Sequence, residues 1–569
     1  MDPRRFRTIS TPSGRATAAA SLAATFVALA SCSNAPGQTN PAQTGGGGGT
    51  SVVGGMTGSA GGGSSAGGTS ATGGTPATAG TTAGGATTGG GGVGGGTAGM
   101  PAAGAGGGGS GGGTAGVAGA GGATNGAPTC KAVTQLNGSG LTLSAPDISA
   151  FVYAPSPATN LVKMAYDPVK HVIVFLGKDG KLYSLDPTLA LPTTAAKTPV
   201  TAATPYDSGG YTPPDGYTDH RGIAFGPDGS LYILTVQVSA TSGVAIKKGV
   251  PGAGAARTWS TLVSTSQGFP AGGTDYDHSF SGIAVSPDGM SLYFSSGSRT
   301  EHGEVEKAAR EVPLTSCILK VPAATPTDLK NDDAALAPYL FADGTRNSYD
   351  LAFNAAGDLI GTENGPDIDL PDEVNFLEQG KHYGFPWRFG NVDNPVRDAA
   401  YVTAGDKRLN AGYGAVAKGT YAYDSAFPAP PAGVTFVDPI LNLGPDANVF
   451  RADRNADPAP AGATGLAGIT GHRSPLGLAF DVTGALCGDY YKQGFLLSYG
   501  AVVGAALGDA GNDLLLLSLT KQNGAYSMKA KQLAKGISGS VDSVLIGNKL
   551  FTAGFGSPQQ VFVFVLPTP

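Results

Sequence analysis

The chain has 569 residues and a formal net charge of −6, and charged side chains make up only 13% of it. It therefore has no basic field with which to attract nucleic acid, and nucleic-acid binding is excluded. With 93 residues, glycine is about twice as frequent as usual, and it is densest between residues 33 and 128. This uneven distribution divides the chain into a low-complexity region and a globular region.

Residues 1–31 follow the pattern of a bacterial export signal. Four arginines lie among the first fifteen residues, and the apolar stretch Ala16–Ala30 is too short to span a bilayer as a mature helix. It runs into Ser31 and Cys32, which resembles the bacterial lipobox, where the cysteine is acylated and becomes the new N-terminus. We therefore expect residues 1–31 to be removed and Cys32 to carry a lipid. The alternative is ordinary cleavage near Ala30.

Residues 32–128 consist almost entirely of Gly, Ala, Thr and Ser, with too little apolar surface to offset the entropy of ordering the chain. We predict a disordered tether, and a coil of about 97 residues has a root-mean-square reach of roughly 50–60 Å. A lipid on Cys32 would then hold the globular domain near a membrane of the cell envelope, at its periplasmic face or at the cell surface. This lipid is the only membrane contact that we predict.

The globular region, residues 129–569, repeats one motif: an apolar strand, a turn rich in Pro, Asp, Asn or Gly, and a second apolar strand. The alternation and the turn chemistry predict a β-hairpin in each copy. The six copies are Met164–Leu185, Gly222–Thr235, Gly282–Ser296, Asp350–Asn364, Gly477–Ser498 and Val541–Phe555. Repeated hairpins of this size predict an all-β fold that closes into a six-bladed β-propeller.

The fourth and fifth copies are almost twice as far apart as the other neighbours, which leaves room for a seventh blade. Two parts of this interval, Tyr401–Pro431 and Ala452–Gly471, are rich in Gly, Ala and Pro. Such a composition favours an irregular insertion over another blade. Six blades therefore remain the prediction.

The segment Gly344–Phe389 contains a dense cluster of polar side chains. The pair Arg346 and Asn347 precedes one predicted strand, and five carboxylates follow the next. These carboxylates are Glu363, Asp367, Asp369, Asp372 and Glu373. Oxygen donors this close together on an irregular loop suit Ca²⁺, which takes about six to eight oxygen ligands. The alternative is a solvated acidic turn, and the spacing alone does not decide between the two.

The motifs of this segment resemble those of the glucose/sorbosone dehydrogenase family, sugar dehydrogenases that use pyrroloquinoline quinone (PQQ). The matching stretches are Gly344-Thr345-Arg346-Asn347-Ser348, Glu363-Asn364-Gly365-Pro366, Asp372-Glu373 and His382-Tyr383-Gly384-Phe385-Pro386. The sequence departs from the family pattern at Ser348, His382 and Phe385, and these departures remove no candidate ligand.

The resemblance implies a six-bladed propeller and an oxidoreductase that oxidises an aldose or a related sugar. PQQ would accept the hydride, calcium would assist, and the later electron acceptor is unknown. By resemblance, His278 is the general base that takes the proton of the sugar's C1 hydroxyl. Imidazole suits this role because it can accept a proton near neutral pH.

The resemblance also assigns ligands. Arg346 and Asn347 would contact the cofactor, and the backbone carbonyls of Gly365 and Pro366 would hold calcium. The positions that match the family's second, structural calcium site are Asp372, Glu373 and Tyr383.

Three other histidines also lie beside predicted hairpins. His220 also precedes a hairpin and is the rival base, and His302 follows the third hairpin, where it could border the pocket. His472 precedes the fifth hairpin beside Arg473, which is either a second cation at the mouth or a salt-bridge partner at the start of the strand.

One departure from the family bears on the cofactor. Some PQQ glucose dehydrogenases carry a lysine and an Arg-x-Arg pair in the last two blades, whereas this chain has Leu496–Gly500 and Gly539–Asp542 there, without cations. Sorbosone-type members also lack them. The alternative function is therefore a non-catalytic, calcium-stabilised propeller that binds glycan or protein at the cell envelope.

Cysteine usage leaves the disulfide pattern open. If Cys32 carries a lipid, three cysteines remain: Cys130, Cys317 and Cys487. One disulfide can form in an oxidising compartment, and the sequence does not choose the pair.

Overall fold

The computed structural model describes residues 126–157, 160–237, 239, 241–254, 256–270, 278–306, 308–501, 506–554 and 560–569. The predicted export signal, Cys32 and nearly all of the predicted tether lie outside these residues. No helix in the described part of the chain is long and apolar enough to span a membrane.

The described residues form β-sheets that we number as blades 1–6 in chain order. Blade 1 consists of Leu161–Asp167, Val172–Gly177, Leu182–Leu185 and Thr204–Pro205. Blade 2 consists of Asp219–Phe225, Leu231–Gln237, Thr241–Pro251 and Arg257–Gln267, with Phe269–Pro270 and Thr327–Lys330 added at its edges. Blade 3 consists of Phe280–Val285, Ser291–Ser296, Cys317–Pro322, Leu340–Asp343 and Lys381–His382.

The strands of the remaining three blades are also given starting from the inner strand. Blade 4 consists of Ser348–Phe353, Leu359–Glu363 and Glu373–Leu377. Blade 5 consists of Pro475–Phe480, Gly494–Ser498, Asp513–Gln522 and Ala525–Lys535, extended by Leu441–Asn442, Leu466–Ala467 and Thr142–Leu143. Blade 6 consists of Ser540–Ile546, Lys549–Gly554, Gln560–Val565, Ser149–Pro155 and Asn137–Gly138.

Short elements lie between and beside the blades. They are the helices Asp333–Leu336 and Gly414–Ala417, the 3-10 turns Pro395–Arg397, Gly462–Thr464 and Gly488–Tyr490, and two ribbons, Arg388–Phe389 with Val392–Asp393 and Val449–Phe450 with Ala459–Pro460.

The first strand of each blade contacts the first strand of the next, and the last contacts the first, so these inner strands close a ring. The all-β propeller prediction is confirmed. In the described residues, however, five blades have the four or more strands of a complete blade, and blade 4 has only three. The prediction of six blades is therefore wrong in this respect: five complete blades are present, and a three-stranded sheet fills the remaining sector.

Blade 4 is incomplete because the chain leaves it early. After Leu377 the chain turns at Gly380, and Lys381–His382 pairs in parallel with Leu340–Asp343 of blade 3. In the following interval, residues 383–470, the described elements are short ribbons, turns, the helix Gly414–Ala417 and two edge strands of blade 5, in place of another blade. This agrees with the insertion predicted from its Gly, Ala and Pro content.

Two long-range links hold the ends of the described chain. Ser149–Pro155 pairs antiparallel with Gln560–Val565, so an early strand completes the last blade. A disulfide joins Cys130 to Cys487 of blade 5, and Cys317 keeps its thiol, buried in blade 3. The structure thus selects one of the pairings that the sequence left open.

Each inner strand has a β-bulge near its start, where one residue falls out of register with the second strand of the blade. The six residues, which we call the bulge ring, are Val162, Arg221, Gly282, Tyr349, Leu476 and Val541. Bulges commonly re-aim side chains at the rims of barrels and next to functional sites. Directly after the bulges, Lys163, Asp350 and Asp542 line a cavity of about 220 Å³ in the channel.

These three side chains form a buried ionic cluster that links four blades. Lys163 Nζ lies 2.8 Å from Asp350 Oδ1 and 3.7 Å from Asp542 Oδ1. Asp350 Oδ2 accepts a hydrogen bond from Leu478 N at 2.9 Å, and Asp542 Oδ2 accepts one from Met164 N at 2.6 Å. Burial lowers the pKa of Lys163, but the two carboxylates outweigh burial and raise it overall. Burial raises the pKa of Asp542 to about 8.

We expect Asp542 to make the protein less stable as pH rises. Its folded pKa, about 8, lies above the unfolded value of about 3.9, so the folded state binds the extra proton between these pH values. The free energy of unfolding should therefore fall from pH 5 to pH 8, with a contribution of at most about 1.4 kcal/mol per pH unit. Denaturant unfolding measured at several pH values in this range should show that the free energy of unfolding falls less steeply with pH for Asp542→Asn than for wild type. Identical slopes for the two proteins would contradict the prediction.

Candidate functional site

His278 lies four residues before the bulge residue Gly282. It is at the end of the channel where the inner strands begin, which we call the mouth. Its backbone N–H donates to the Ser298 carbonyl at 2.8 Å, and its side chain is buried with 8% exposure. Its Nε2 has no hydrogen-bond partner among the described residues. Burial lowers its pKa well below the usual value, and the charges of Arg346 and Arg221 lower it further. His278 is therefore a neutral imidazole with an unused acceptor or donor atom.

Arg346 lies close enough to His278 for their charges to interact, but its guanidinium is engaged. Nε donates to the Glu301 carbonyl at 2.9 Å, a terminal nitrogen bonds the Glu301 carboxylate, and the other donates to the Asn364 carbonyl at 3.1 Å. Asn347 beside it is half-buried, and its carbonyl accepts from Asn364 N at 3.2 Å. The structure thus places Arg346 and Asn347, the predicted cofactor-binding residues, at the mouth, and it pairs Arg346 with Glu301.

Glu301 is a residue that sequence reasoning missed. It is fully buried, and besides Arg346 its carboxylate accepts from the Tyr421 hydroxyl at 3.0 Å and from the backbone N–H of Asp367. It therefore joins blade 3, the acidic loop and the insertion. The only sequence signal was its place in the loop that carries His302.

The acidic loop is buried, so its reading as a solvated turn is wrong. Glu363 and Glu373 are direct partners across the two strands of blade 4, each with an oxygen that accepts a backbone N–H at 2.6 Å, from Arg346 and Gly390 respectively. Burial raises the pKa of Glu373 to about 7, and burial followed by the charge of Glu373 raises that of Glu363. These two carboxylates thus lack a counter-charge strong enough to keep their pKa values low.

The side chains of Asp372 and Tyr383, two other predicted calcium ligands, already make hydrogen bonds within the protein. Asp372 accepts from Gly365 N at 2.7 Å and from Ser474 N at 2.9 Å, and burial raises its pKa. The Tyr383 hydroxyl donates to a backbone carbonyl and accepts from Glu378 N at 2.9 Å, so this side chain supports the fold. In the described ranges, no three or more His, Cys, Asp or Glu side chains are grouped as a metal site.

Backbone oxygens remain beside these carboxylates. The carbonyls of Gly365 and Pro366 accept no hydrogen bond from any described residue. Nearby, Asp367 accepts from Ala415 N at 2.9 Å through Oδ2, while its buried Oδ1 has no partner in the described chain. Burial and the neighbouring Glu301 raise the pKa of Asp367 to about 7.

Of the other candidate histidines, His220 and His472 have hydrogen-bond partners, whereas the buried Nδ1 and Nε2 of His302 have none among the described residues. His220 Nε2 lies 3.1 Å from the Tyr211 hydroxyl, and the His302 ring packs on Tyr421 with the ring centroids 4.4 Å apart. His472 precedes its bulge residue by four positions, as His278 does, but its Nε2 lies 2.9 Å from Asp369 Oδ1. His278 therefore differs from His220 and His472 in that its Nε2 has no partner among the described residues.

Arg473 acts as a salt-bridge partner at the start of its strand. It bonds Asp509 through one terminal nitrogen and Asp513 at 2.5 Å through the other, and it is fully buried. The alternative of a second cation available at the mouth is not supported.

The floor of the mouth is apolar on the side of blades 4–6. Tyr349, Leu476 and Val541 of the bulge ring form one buried cluster, with Tyr499 packed against it. The Tyr349 hydroxyl reaches across the channel and donates to the Val162 carbonyl of blade 1 at 3.1 Å.

Residues 252–426 match the family model described as Glucose / Sorbosone dehydrogenase. The matched range includes His278, Arg346 and the whole acidic loop, and it ends before His472. No curated protein matches the sequence.

Solved structures similar to this chain include three sugar dehydrogenases. The apo soluble aldose sugar dehydrogenase from Escherichia coli is 13% identical, with 73% of this chain and 99% of that chain covered and a TM-score of 0.43. The holo PQQ domain of pyranose dehydrogenase from Coprinopsis cinerea is 13% identical, with 76% and 100% covered and a TM-score of 0.47. The PQQ-bound aldose sugar dehydrogenase from Streptomyces coelicolor is 15% identical, with 74% and 98% covered and a TM-score of 0.41.

Proposed function

Since its segment 252–426 matches the glucose/sorbosone dehydrogenase family that its motifs resemble, we propose that this protein oxidises an aldose or a related sugar with PQQ as hydride acceptor. One observation carries the proposal beyond the family match: the buried, uncharged His278 presents an Nε2 without a partner among the described residues. A general base needs this combination, because it must be deprotonated and free to meet the substrate's hydroxyl.

The residues around the mouth fit PQQ, a flat quinone with three carboxylates. Tyr349, Leu476 and Val541 offer an apolar floor for its rings, and Arg346 offers positive charge to its oxygens. When bound, PQQ supplies an ortho-quinone that accepts the hydride. His278 accepts the proton of the C1 hydroxyl at Nε2 as the hydride leaves C1, so an aldose leaves as a lactone.

The experiment that tests this function adds PQQ and calcium to the purified protein and follows sugar-dependent reduction of a redox dye. We expect aldoses to support turnover, and we expect the amount of bound PQQ to rise in proportion to the amount of protein. If no PQQ binds in the presence of calcium, the enzyme proposal fails.

The second candidate is a non-catalytic propeller that binds glycan or protein. One observation favours it: the guanidinium of Arg346 is already bonded to Glu301 and Asn364, and Arg473 to Asp509 and Asp513. These pairs reduce the positive charge available to an anionic cofactor.

We propose that calcium binds beside blade 4. The unbonded carbonyls of Gly365 and Pro366 would hold one ion at the mouth, and Asp372 and Glu373 would contribute to a second. Hard oxygen donors suit Ca²⁺, and a cation would offset the charge of the buried Glu363 and Glu373 pair.

We expect a calcium chelator to lower the melting temperature. A ligand that binds only the folded state contributes about 2.7 kcal/mol at a hundredfold excess over Kd. Glu373→Gln should remove much of this dependence, whereas the matched change Glu378→Gln, one residue beyond the end of the same strand, should not. Melting curves that coincide with and without chelator would contradict calcium binding.

We also propose that the protein is exported and anchored by a lipid on Cys32. The disulfide Cys130–Cys487 supports export, because disulfides persist in oxidising compartments. A diacylglyceryl cysteine with an amide-linked chain has enough acyl groups for stable attachment, so Cys32→Ala should move the protein from the membrane fraction to the soluble fraction. Equal partitioning of both proteins would contradict the anchor.

A further inference from the structure

Directly after the second strand of blade 4, four consecutive residues each have an oxygen atom without a hydrogen-bond partner among the described residues. These atoms are Oδ1 of Asn364, the carbonyl oxygens of Gly365 and Pro366, and Oδ1 of Asp367. The side chains are buried, with 8% exposure for Asn364 and none for Asp367. Because buried polar atoms are normally bonded, four such oxygens in succession point to a bound group.

Neighbouring contacts fix the backbone of this stretch. The Asn364 carbonyl accepts from Arg346 at 3.1 Å, and Gly365 N donates to Asp372 Oδ1 at 2.7 Å. The chain also packs closely at Gly365, since a Cβ atom there would lie only 2.6 Å from the Pro371 carbonyl oxygen. The unbonded oxygens therefore belong to a fixed segment, as a preformed binding site requires.

The carboxylate of Asp367 forms no salt bridge with any described residue. Its Oδ2 accepts from Ala415 N of the insertion at 2.9 Å, and its Oδ1 has no partner in the described chain. Its backbone N–H donates to the carboxylate of Glu301, which is itself paired with Arg346. A buried carboxylate without a paired cation is costly, so a bound cation would stabilise this arrangement.

The four oxygens belong to the classes that Ca²⁺ binds. Calcium takes about six to eight oxygens from carboxylates, backbone carbonyls and Asn or Gln side chains, in a flexible geometry. The segment offers one carboxylate, two backbone carbonyls and one amide oxygen. About two to four ligand positions then remain for oxygens of a cofactor or of water.

We propose that Asn364 and Asp367 bind the mouth calcium through Oδ1, together with the carbonyls of Gly365 and Pro366, and that this ion binds in the absence of the cofactor. The proposal rests on the calcium site of the proposed function, to which it adds a charged ligand and an amide ligand. Since Asp367 also bonds Ala415 through Oδ2, the ion is linked to the insertion as well as to blade 4.

The test measures calcium affinity of the full chain without PQQ, by isothermal titration calorimetry. All proteins carry Glu373→Gln, which removes the carboxylate proposed for the second ion, so that the remaining binding reports the mouth. We expect the further change Asp367→Asn to weaken calcium binding at least about tenfold, because even the loss of a residue that only orients a ligand costs a metal site about 10–100-fold.

The matched control is Asp369→Asn in the same Glu373→Gln chain. It makes the same change two residues further along the acidic loop, but the carboxylate of Asp369 is already bonded to Arg451 and His472, both at 2.8–2.9 Å. Its calcium affinity should stay at the level of the Glu373→Gln parent. A loss as large as that of Asp367→Asn would show that any lost charge in the loop weakens binding, and would contradict the assignment.

A second variant keeps the test decisive if Asp367→Asn does not fold. Asn364→Ala removes an oxygen that bonds no described residue and keeps the backbone groups of Asn364. It should also weaken calcium binding without PQQ. In excess chelator it should melt with the Glu373→Gln parent, and added calcium should raise its melting temperature less.

The outcomes separate this inference from the proposed function. If both ligand variants bind calcium as tightly as their parent, the assignment of Asn364 and Asp367 is wrong. If the parent binds calcium only after PQQ is added, the inference is wrong and the dehydrogenase proposal stands. If calcium affinity follows the expected pattern and wild type binds no PQQ, the calcium ligands stand and the dehydrogenase proposal fails.

Discussion

Replacing His278 with glutamine is expected to lower sugar turnover about 10²–10⁴-fold, the usual loss when a general base is removed. Glutamine retains similar bulk and hydrogen-bonding capacity, but its amide does not accept a proton near neutral pH. PQQ binding should survive, since the proposed cofactor contacts come from other residues. Turnover under saturating PQQ and calcium, with the PQQ affinity measured in parallel, separates the chemical step from cofactor loading.

The controls for this prediction are the two other histidines at starts of inner strands. His220→Gln and His472→Gln alter residues that already contact Tyr211 and Asp369. We expect His220→Gln to be nearly silent in turnover. A loss with His220→Gln as large as with His278→Gln would show that the wrong base has been chosen.

Replacing Arg346 with methionine is expected to lower the free energy of unfolding by about 3–5 kcal/mol, because one partner of a buried ion pair is removed. Glu301 would remain fully buried, and among the described residues only the Tyr421 hydroxyl and the backbone N–H of Asp367 would still donate to its carboxylate. Denaturant unfolding measures the loss. An unchanged midpoint would mean that the pair contributes nothing to stability.

A double variant separates the two roles of Arg346. Changing Arg346 to methionine and Glu301 to glutamine together removes both charges and should recover much of the lost stability. If Arg346 also binds the cofactor, the PQQ affinity of this stable variant should still be at least about tenfold weaker than wild type. Wild-type affinity would limit Arg346 to a structural role.

The sequence alone predicted the features that depend on neighbouring residues. Turn chemistry in stretches such as Gly222–Thr235 and Gly477–Ser498 is local, and each stretch becomes the antiparallel first and second strands of a blade. The excess of Gly, Ala and Pro in Tyr401–Pro431 likewise predicted an irregular segment. A motif read from adjacent residues also led to the family whose model matches residues 252–426.

The tertiary structure decided which distant residues meet. Arg346 was expected to be a cofactor ligand, but the fold places Glu301, 45 positions earlier, against its guanidinium. Arg473 had two readings until Asp509 and Asp513 approached it. Local spacing cannot determine such pairs, because each depends on how separate blades stack around the channel.

Composition and periodicity in this chain thus determined the all-β propeller and the position of the insertion, and the resemblance to the family indicated the residues worth testing. Only the tertiary structure decided three other features. These are the strand count of blade 4, the pairing of Cys130 with Cys487 and the burial of the acidic loop. The physical reason is the range of the interactions: hairpins form from turn and side-chain preferences within about 15–20 residues. The charge state of Asp542, in contrast, depends on burial beside Lys163, which lies on a strand near the other end of the domain.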